Sequence, residues 1–148
     1  MNDKFKLISP KTKLEFQRYF FVRWSILRKP WGQKRGTEID EFEDKSYHIM
    51  GIDSKKRVLA VGRIHNISSN TAQIRYMGVL EKYTKLGYGT QVLKLLENYA
   101  LNNKISKVVL NSREIAVDFY IKNGYKKIKQ VDKLFEEINH WFMEKEIN

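Results

Sequence analysis

The segment Lys85-Leu86-Gly87-Tyr88-Gly89-Thr90 has the residue types of an anion cradle. Glycines clear side chains from a turn, so successive backbone N–H groups can face one ligand. A helix starting at that turn adds unsatisfied N–H groups and about half a positive charge. The ligand suited to such a place is a phosphate or pyrophosphate. A Walker loop would need Gly-Lys-Ser/Thr, and a dinucleotide fingerprint would need a third glycine where Val92 stands. Other chemistries are poorly supplied. The chain has no cysteine, which excludes disulfides, a thiol nucleophile and thiolate metal sites. Its 3 histidines, His48, His65 and His140, are scattered, so no metal site is expected.

The elements that must position this loop can be read from periodicity and turn residues. Lys4 to Ile8 reads as a short strand. Ser9 and Pro10 then supply an N-cap and first helical residue. Leu14, Phe20, Phe21, Trp24 and Leu27 recur at helical spacing, and the helix stops before Pro30, Trp31 and Gly32. Arg35, Gly36 and Thr37 read as loop. Tyr47 to Ile52 and Val58 to Ile64 form a hairpin around Asp53, Ser54, Lys55 and Lys56. Thr71 to Leu80 is the next strand. Gly78 inside it predicts a bulge or the close approach of another group. Gly89 to Asn102 is a helix carrying Val92, Leu93, Leu96, Tyr99 and Ala100, and Lys107 to Leu110 is a strand. Ile115 to Lys122 is a helix stopped by Asn123 and Gly124. Tyr125 to Val131 and Asn139 to Lys145 complete the set as strands. Such mixing predicts an α+β or α/β sheet with helices on its faces.

The 148 residues, 42% of them hydrophobic, suit a single domain spanning 1–148 with one buried core. The opening MNDKFKLISPKTK lacks the apolar run of a secretory signal. No stretch approaches the roughly 18 apolar residues of a membrane span. A cytoplasmic protein is expected. The net charge of +11 favours anionic partners, though lysines such as Lys4, Lys29, Lys56, Lys107 and Lys127 are spread as on a solvated surface.

Residues Val79 to Gly89 resemble the acetyl-CoA-binding motif of the GNAT N-acetyltransferase superfamily, usually Arg/Gln-x-x-Gly-x-Gly. Gly87 and Gly89 match, whereas Thr84 replaces the usual Arg or Gln and Glu81 replaces a common proline. Lys82 and Lys85 could restore the missing positive charge. About thirty residues on, Ala116-Val117-Asp118-Phe119-Tyr120-Ile121-Lys122-Asn123-Gly124-Tyr125 is similar to the family's Ala-x-x-Phe-Tyr-x-x-x-Gly-Phe helix and turn. The resemblance covers residues 58 to 131. It implies a central, mostly antiparallel mixed sheet of six to seven strands flanked by about four helices. It also implies acetyl-CoA as co-substrate and an amine of a small molecule or peptide as acceptor, with a homodimer left open.

By the same resemblance, the backbone of Met77, Gly78 and Val79 bonds the pantetheine arm, with Gly78 marking where two strands splay. Lys85, Leu86, Gly87, Tyr88, Gly89, Thr90 and Phe119 hold the cofactor, and Tyr120 is the acid for the departing thiolate. The implied reaction is direct attack of a neutral amine, with a backbone donor near Val79 meeting the oxyanion. Some members use a glutamate before the phosphate loop as base, but Gln73 and Arg75 stand in that stretch here. Glu38, Asp40, Glu41, Glu136, Glu137 and His140 are the substitutes, or a water chain.

The amino-terminal Arg23-Trp24-Ser25-Ile26-Leu27-Arg28 and Glu38-Ile39-Asp40-Glu41-Phe42-Glu43 are similar to small ElaA-like acetyltransferases and to acyl-homoserine-lactone synthases. That likeness implies substrate contacts from Trp31, Glu38 and Asp40. His140 in Ile138 to Met143 matches the closing strand of ElaA-like proteins. An acidic loop near Glu38 would favour a cationic amine over a carboxylic substrate. Two other readings stay open. One is an acyl-carrier-dependent acyltransferase of the lactone-synthase type. The other is a basic nucleic-acid-binding module using Tyr19, Trp24 and Trp31, although no nucleic-acid motif accompanies the charge.

Overall fold

The computed structural model describes residues 4–134 and 138–147. Its elements run β1 (Lys6–Ile8), α1 (Lys13–Leu27), β2 (Tyr47–Ile52), β3 (Val58–Asn66), β4 (Thr71–Val79), α2 (Tyr88–Asn102), β5 (Lys107–Arg113), α3 (Val117–Lys122), β6 (Lys126–Leu134) and β7 (Ile138–Glu146). Short 3₁₀ turns at Lys29–Trp31, Glu43–Lys45, Glu81–Tyr83 and Glu114–Ala116 supplement the three α-helices. Most boundaries follow the sequence pattern. The strands β5 and β6 run on past the expected Leu110 and Val131, and the start of α1 differs too. Its N-cap is Thr12, whose hydroxyl accepts from Glu15 N at 3.0 Å while the Glu15 carboxylate accepts from Thr12 N at 2.9 Å. This reciprocal pair satisfies two orphan donors, which Ser9 and Pro10 would not do.

The seven strands form one sheet in the order β1-β2-β3-β4-β5-β7-β6. Every neighbouring pair is antiparallel except β4 and β5. That parallel pair is joined only from Thr71, Ala72 and Gln73 to Lys107, Val108 and Val109. Beyond them the two strands diverge, and residues 74–79 of β4 have no ladder partner on the β5 side. The divergence therefore starts about four residues before Gly78, not at it.

Gly78 answers to packing instead. A Cβ there would lie 2.8 Å from Ile26 Cγ2 of α1. On the other face, a Cβ on Gly62 would lie 2.7 Å from Val92 Cγ1 of α2. The two helices thus sit close on opposite faces of the same strand pair. Tyr19 and Val22 of α1 pack with Met50, Ile52, Val58 and Val61. Val92, Leu93 and Leu96 of α2 pack with Ile49, Ala60, Ile64, Ile74 and Val108. A bulge also exists, where the β3–β4 register shifts between Val61 and Arg63. Opposite that shift Tyr76 has φ 56, an uncommon conformation for a side chain of its size.

No helix among the described residues is long and apolar enough to cross a membrane.

Candidate active site

The glycine turn comes first in the chain. After the 3₁₀ turn Glu81–Tyr83, Lys85 takes φ 68 and Gly87 takes φ 85, and α2 begins at Tyr88. Gly87 is the N-cap, and no side chain caps the helix. The first bond of the new helix is Gln91 N to Gly87 O at 3.2 Å. The N–H groups of Tyr88, Gly89 and Thr90 precede it and so have no partner within α2. Nothing lies within 4 Å of a Cβ built on Gly87, so its glycine serves the left-handed backbone alone. At Gly89 a Cβ would meet Phe119 Cζ at 3.2 Å. Phe119 thus presses α3 against the first turn of α2 and joins the two motifs. The Tyr88 ring stacks on Phe5 with centroids 3.7 Å apart. Leu86 and the Lys82 and Lys85 side chains are exposed.

The second part is the wedge between β4 and β5. It encloses a cavity of about 360 Å³, the lower range of small-molecule sites. Met77, Ala116 and Tyr120 line it together with Arg28, Arg75, Arg113, Asp132 and His140. Gly78 and Val79 pair with Val61 and Ala60 of β3, and their opposite edge is free of strand partners.

Tyr120 is buried, and its hydroxyl donates to Met77 Sδ at 3.8 Å. Burial pushes the phenol up to about 12, with the Arg113 charge acting the other way. The group is therefore fully protonated across physiological pH. An ordinary thiol titrates near 8.5, so complete proton transfer from so weak an acid would be uphill. Donation of a hydrogen bond to a developing sulfur anion is the easier role.

His140 faces the same cavity from β7, and its Nδ1 lies 3.1 Å from Ile138 O. The pairing fits an Nδ1–H donating to that carbonyl, which leaves Nε2 as an acceptor. Burial lowers its proton affinity, the Ile138 carbonyl opposes the shift, and the charges of Arg113 and Arg28 reinforce it. The imidazole is neutral near pH 7.

The amino-terminal acids occupy a different place. Glu38 is only 1% exposed, and its carboxylate accepts from Gly36 N at 2.7 Å with Arg35 Nε at 3.6 Å. Asp40 binds Arg63 at 2.6 and 3.0 Å and Arg75 at 2.9 Å. Burial alone would raise Asp40, but bonds from Arg63 and Phe42 N–H and the charges of Arg63 and Arg75 outweigh it and hold the carboxyl at about 2. Glu43 completes the cluster through Arg23 at 2.8 Å and Arg63 at 3.0 Å. Neither Glu38 nor Asp40 lines the wedge, and their charges are spent on internal guanidinium groups. Glu38 and Asp40 therefore do not face the wedge as free anions. Trp31, on the 3₁₀ turn after α1, is exposed and also outside the lining. Glu41 is exposed, and Glu136 and Glu137 lie outside the described residues.

Arg113 and Asp132 were invisible as site residues in the sequence, because each reaches the wedge only through the order of the sheet, while Arg28 reaches it from the end of α1. Tyr76 binds the arginines together. Guanidinium carbons of Arg23, Arg75, Arg63 and Arg28 lie 4.4, 4.7, 5.0 and 5.4 Å from its ring centroid. Among the described residues no group of three or more potential ligands could hold a metal ion.

A mostly antiparallel sheet that opens at its single parallel pair, next to an uncapped and glycine-turned helix start, accords with the acyltransferase class that the comparisons show. More specifically, the chain belongs to the acetyltransferase (GNAT) family, whose profile matches residues 15–125. It is 30% identical over 141 residues to the uncharacterized N-acetyltransferase YjcF of Bacillus subtilis (strain 168), covering 95% of this chain and 99% of that one. Its fold matches Escherichia coli ElaA with a TM-score of 0.81 at 14% identity, covering 97% of this chain and 99% of the other. It also matches a GNAT family acetyltransferase from Elizabethkingia anophelis with acetyl-CoA bound, with a TM-score of 0.73 at 13% identity over 98% and 99% of the two chains.

Proposed function

We propose that this chain transfers an acetyl group from acetyl-CoA to a primary amine of a small molecule or peptide by direct attack, without a covalent enzyme intermediate. The observation that carries this reading is the wedge itself. Residues 74–77 of the unpartnered β4 edge, Tyr120 and the neutral His140 line one cavity, and Gly78, Val79 and the open start of α2 follow in the chain beyond that lining. The acetyl-CoA seen in the Elizabethkingia anophelis relative agrees with it.

The residues present fit that co-substrate. The Gly87 and Gly89 turn supplies backbone donors and space for a pyrophosphate. The free edge of Met77, Gly78 and Val79 offers strand-like bonds to an amide-containing arm. Acetyl-CoA, when bound, supplies an activated acyl group whose thioester bond breaks as the new amide bond forms. The protein's own tasks are then few. His140 Nε2 accepts the proton that the attacking ammonium must lose. The wedge holds the amine in line, which removes the entropic cost of the encounter. Backbone N–H groups of the β4 edge face the developing oxyanion. Tyr120 donates its hydrogen bond to the leaving sulfur.

The test is release of CoA in the presence of an amine panel, with Tyr120→Phe alongside the parent protein. Loss of a positioned donor is expected to lower kcat by about 10² while acetyl-CoA affinity holds. Unchanged turnover in that variant would refute the donor role, and no acetyl transfer to any amine would refute the function.

A further inference from the structure

The ionic lining of the wedge contradicts the idea of a simple cationic acceptor. Three arginines, Arg28, Arg75 and Arg113, line it, against one carboxylate among the described residues, Asp132. Tyr76, Tyr120 and His140 also line it, and of these His140 and Tyr120 are neutral near pH 7 for the reasons given above.

The arginines are not equivalent. Arg28 is fastened by Nε to Thr37 O at 3.0 Å and by one NH group to Leu27 O at 3.1 Å. Arg75 is tied on one side to Asp40. Arg113, at the end of β5, has no hydrogen bond or ion pair from its guanidinium among the described residues, although it is half-buried. A partly desolvated cation without a partner is unfavourable in the free protein, and a ligand anion would relieve that cost. The planar fork of arginine matches a carboxylate in two-pronged fashion.

Position sets the size of the ligand. Arg113 and His140 are directly opposite each other in the β5–β7 register, and the charges of Arg113 and Arg28 are both felt at the imidazole. An anion held by these arginines would therefore lie a few bonds from a nitrogen presented to His140. Asp132 stands in the same lining and can face an ammonium that arrives with it.

We infer that the amine accepted by this enzyme also carries a carboxylate, which Arg113 binds inside the wedge with Arg75 and Arg28 beside it. The inference rests on the acetyl-transfer reading and narrows its acceptor to molecules of the amino-acid type.

The experiment compares matched acceptors: amino acids, their carboxamides, the corresponding decarboxylated amines, and phosphorylated amines of similar size. A hydrogen-bonded charge pair is worth enough that kcat/KM for the carboxylates is expected to exceed that of the amides by about tenfold or more, chiefly through KM. Arg113→Gln is expected to erase that difference and Arg113→Lys to restore part of it, with acetyl-CoA affinity unaltered in both. Calorimetric titration of the same amino acids into the CoA-saturated protein reads the anion site without turnover, and binding lost in Arg113→Gln supports the assignment. The inference is overturned if amides, decarboxylated amines or phosphorylated amines do as well as the carboxylates. It is equally overturned if Arg113→Gln keeps the preference, or if no amino acid binds. Failure of the parent reading looks different, since no acetyl-CoA would bind and no amine would be acetylated.

Discussion

His140 is the residue whose chemistry depends most on its surroundings. As a base it must be unprotonated, and burial together with the nearby Arg113 and Arg28 charges keeps its pKa below the ordinary 6.5. Because protonation removes the acceptor, kcat/KM is expected to fall as pH drops through a value below 6.5. The limb should disappear in His140→Gln, whose residual rate should be lower by about 10² at neutral pH. A pH–rate profile whose acid limb survives in the variant would assign the base elsewhere. At this scale the sequence disclosed what is local. Gly87, Gly89, Phe119 and Tyr120 lie in two short motifs whose internal spacing already implies a turn and a helix face. Asp40 was misleading for the converse reason. Asp40's guanidinium partners Arg63 and Arg75 lie 23 and 35 positions away, so nothing near that acid shows that it is neutralised, whereas Glu38 is held locally by Gly36 N and Arg35.

Elements meet here through glycines, and two of them separate fold from function. A methyl group on Gly62 would approach Val92 Cγ1 and Leu96 Cδ1 at 2.7 and 3.0 Å. Val92 is β-branched and cannot swing aside cheaply, so α2 would have to move from β3. Gly62→Ala is expected to destabilise the fold by about 1–3 kcal/mol, read as a lower urea midpoint. Gly87→Ala meets no atom, yet it forces a side chain into the left-handed region at φ 85, at a cost of about 1–2 kcal/mol. Its effect should fall on acetyl-CoA affinity, because the donors of the turn would shift. Periodicity located α2 correctly, since it carries Val92, Leu93 and Leu96 on one buried face, whereas α1 buries Tyr19 and Val22 and leaves the expected Leu14 and Phe21 exposed. It could not locate the splay. The parting of β4 from β5 is a property of ladder pairing, and the glycine nearest to it is explained by Ile26. The start of α1 was missed because Ser9-Pro10 is a good local signal that the Thr12–Glu15 box outcompetes.

At the scale of the whole molecule, the +11 charge and the glycine turn make different demands on an anionic ligand. Attraction to dispersed surface lysines is screened once the Debye length falls to a few ångströms, whereas backbone donors at a helix start act at contact distance. Binding to the native state alone stabilises by RT ln(1 + [L]/Kd), about 2.7 kcal/mol at a hundredfold excess over Kd. For a chain of this size that corresponds to a rise in Tm of roughly 5–10 °C. Acetyl-CoA is expected to produce such a rise at saturating concentration, and NAD and ATP are not. Most of the rise should persist in high salt, because Thr84 replaces the Arg or Gln usual in the family's motif and leaves the backbone as the main partner. Neutralising Lys82 and Lys85 together should then cost little affinity. A shift that collapses with salt, or with those two substitutions, would mean that surface charge holds the ligand and that the turn merely shapes the path of the chain.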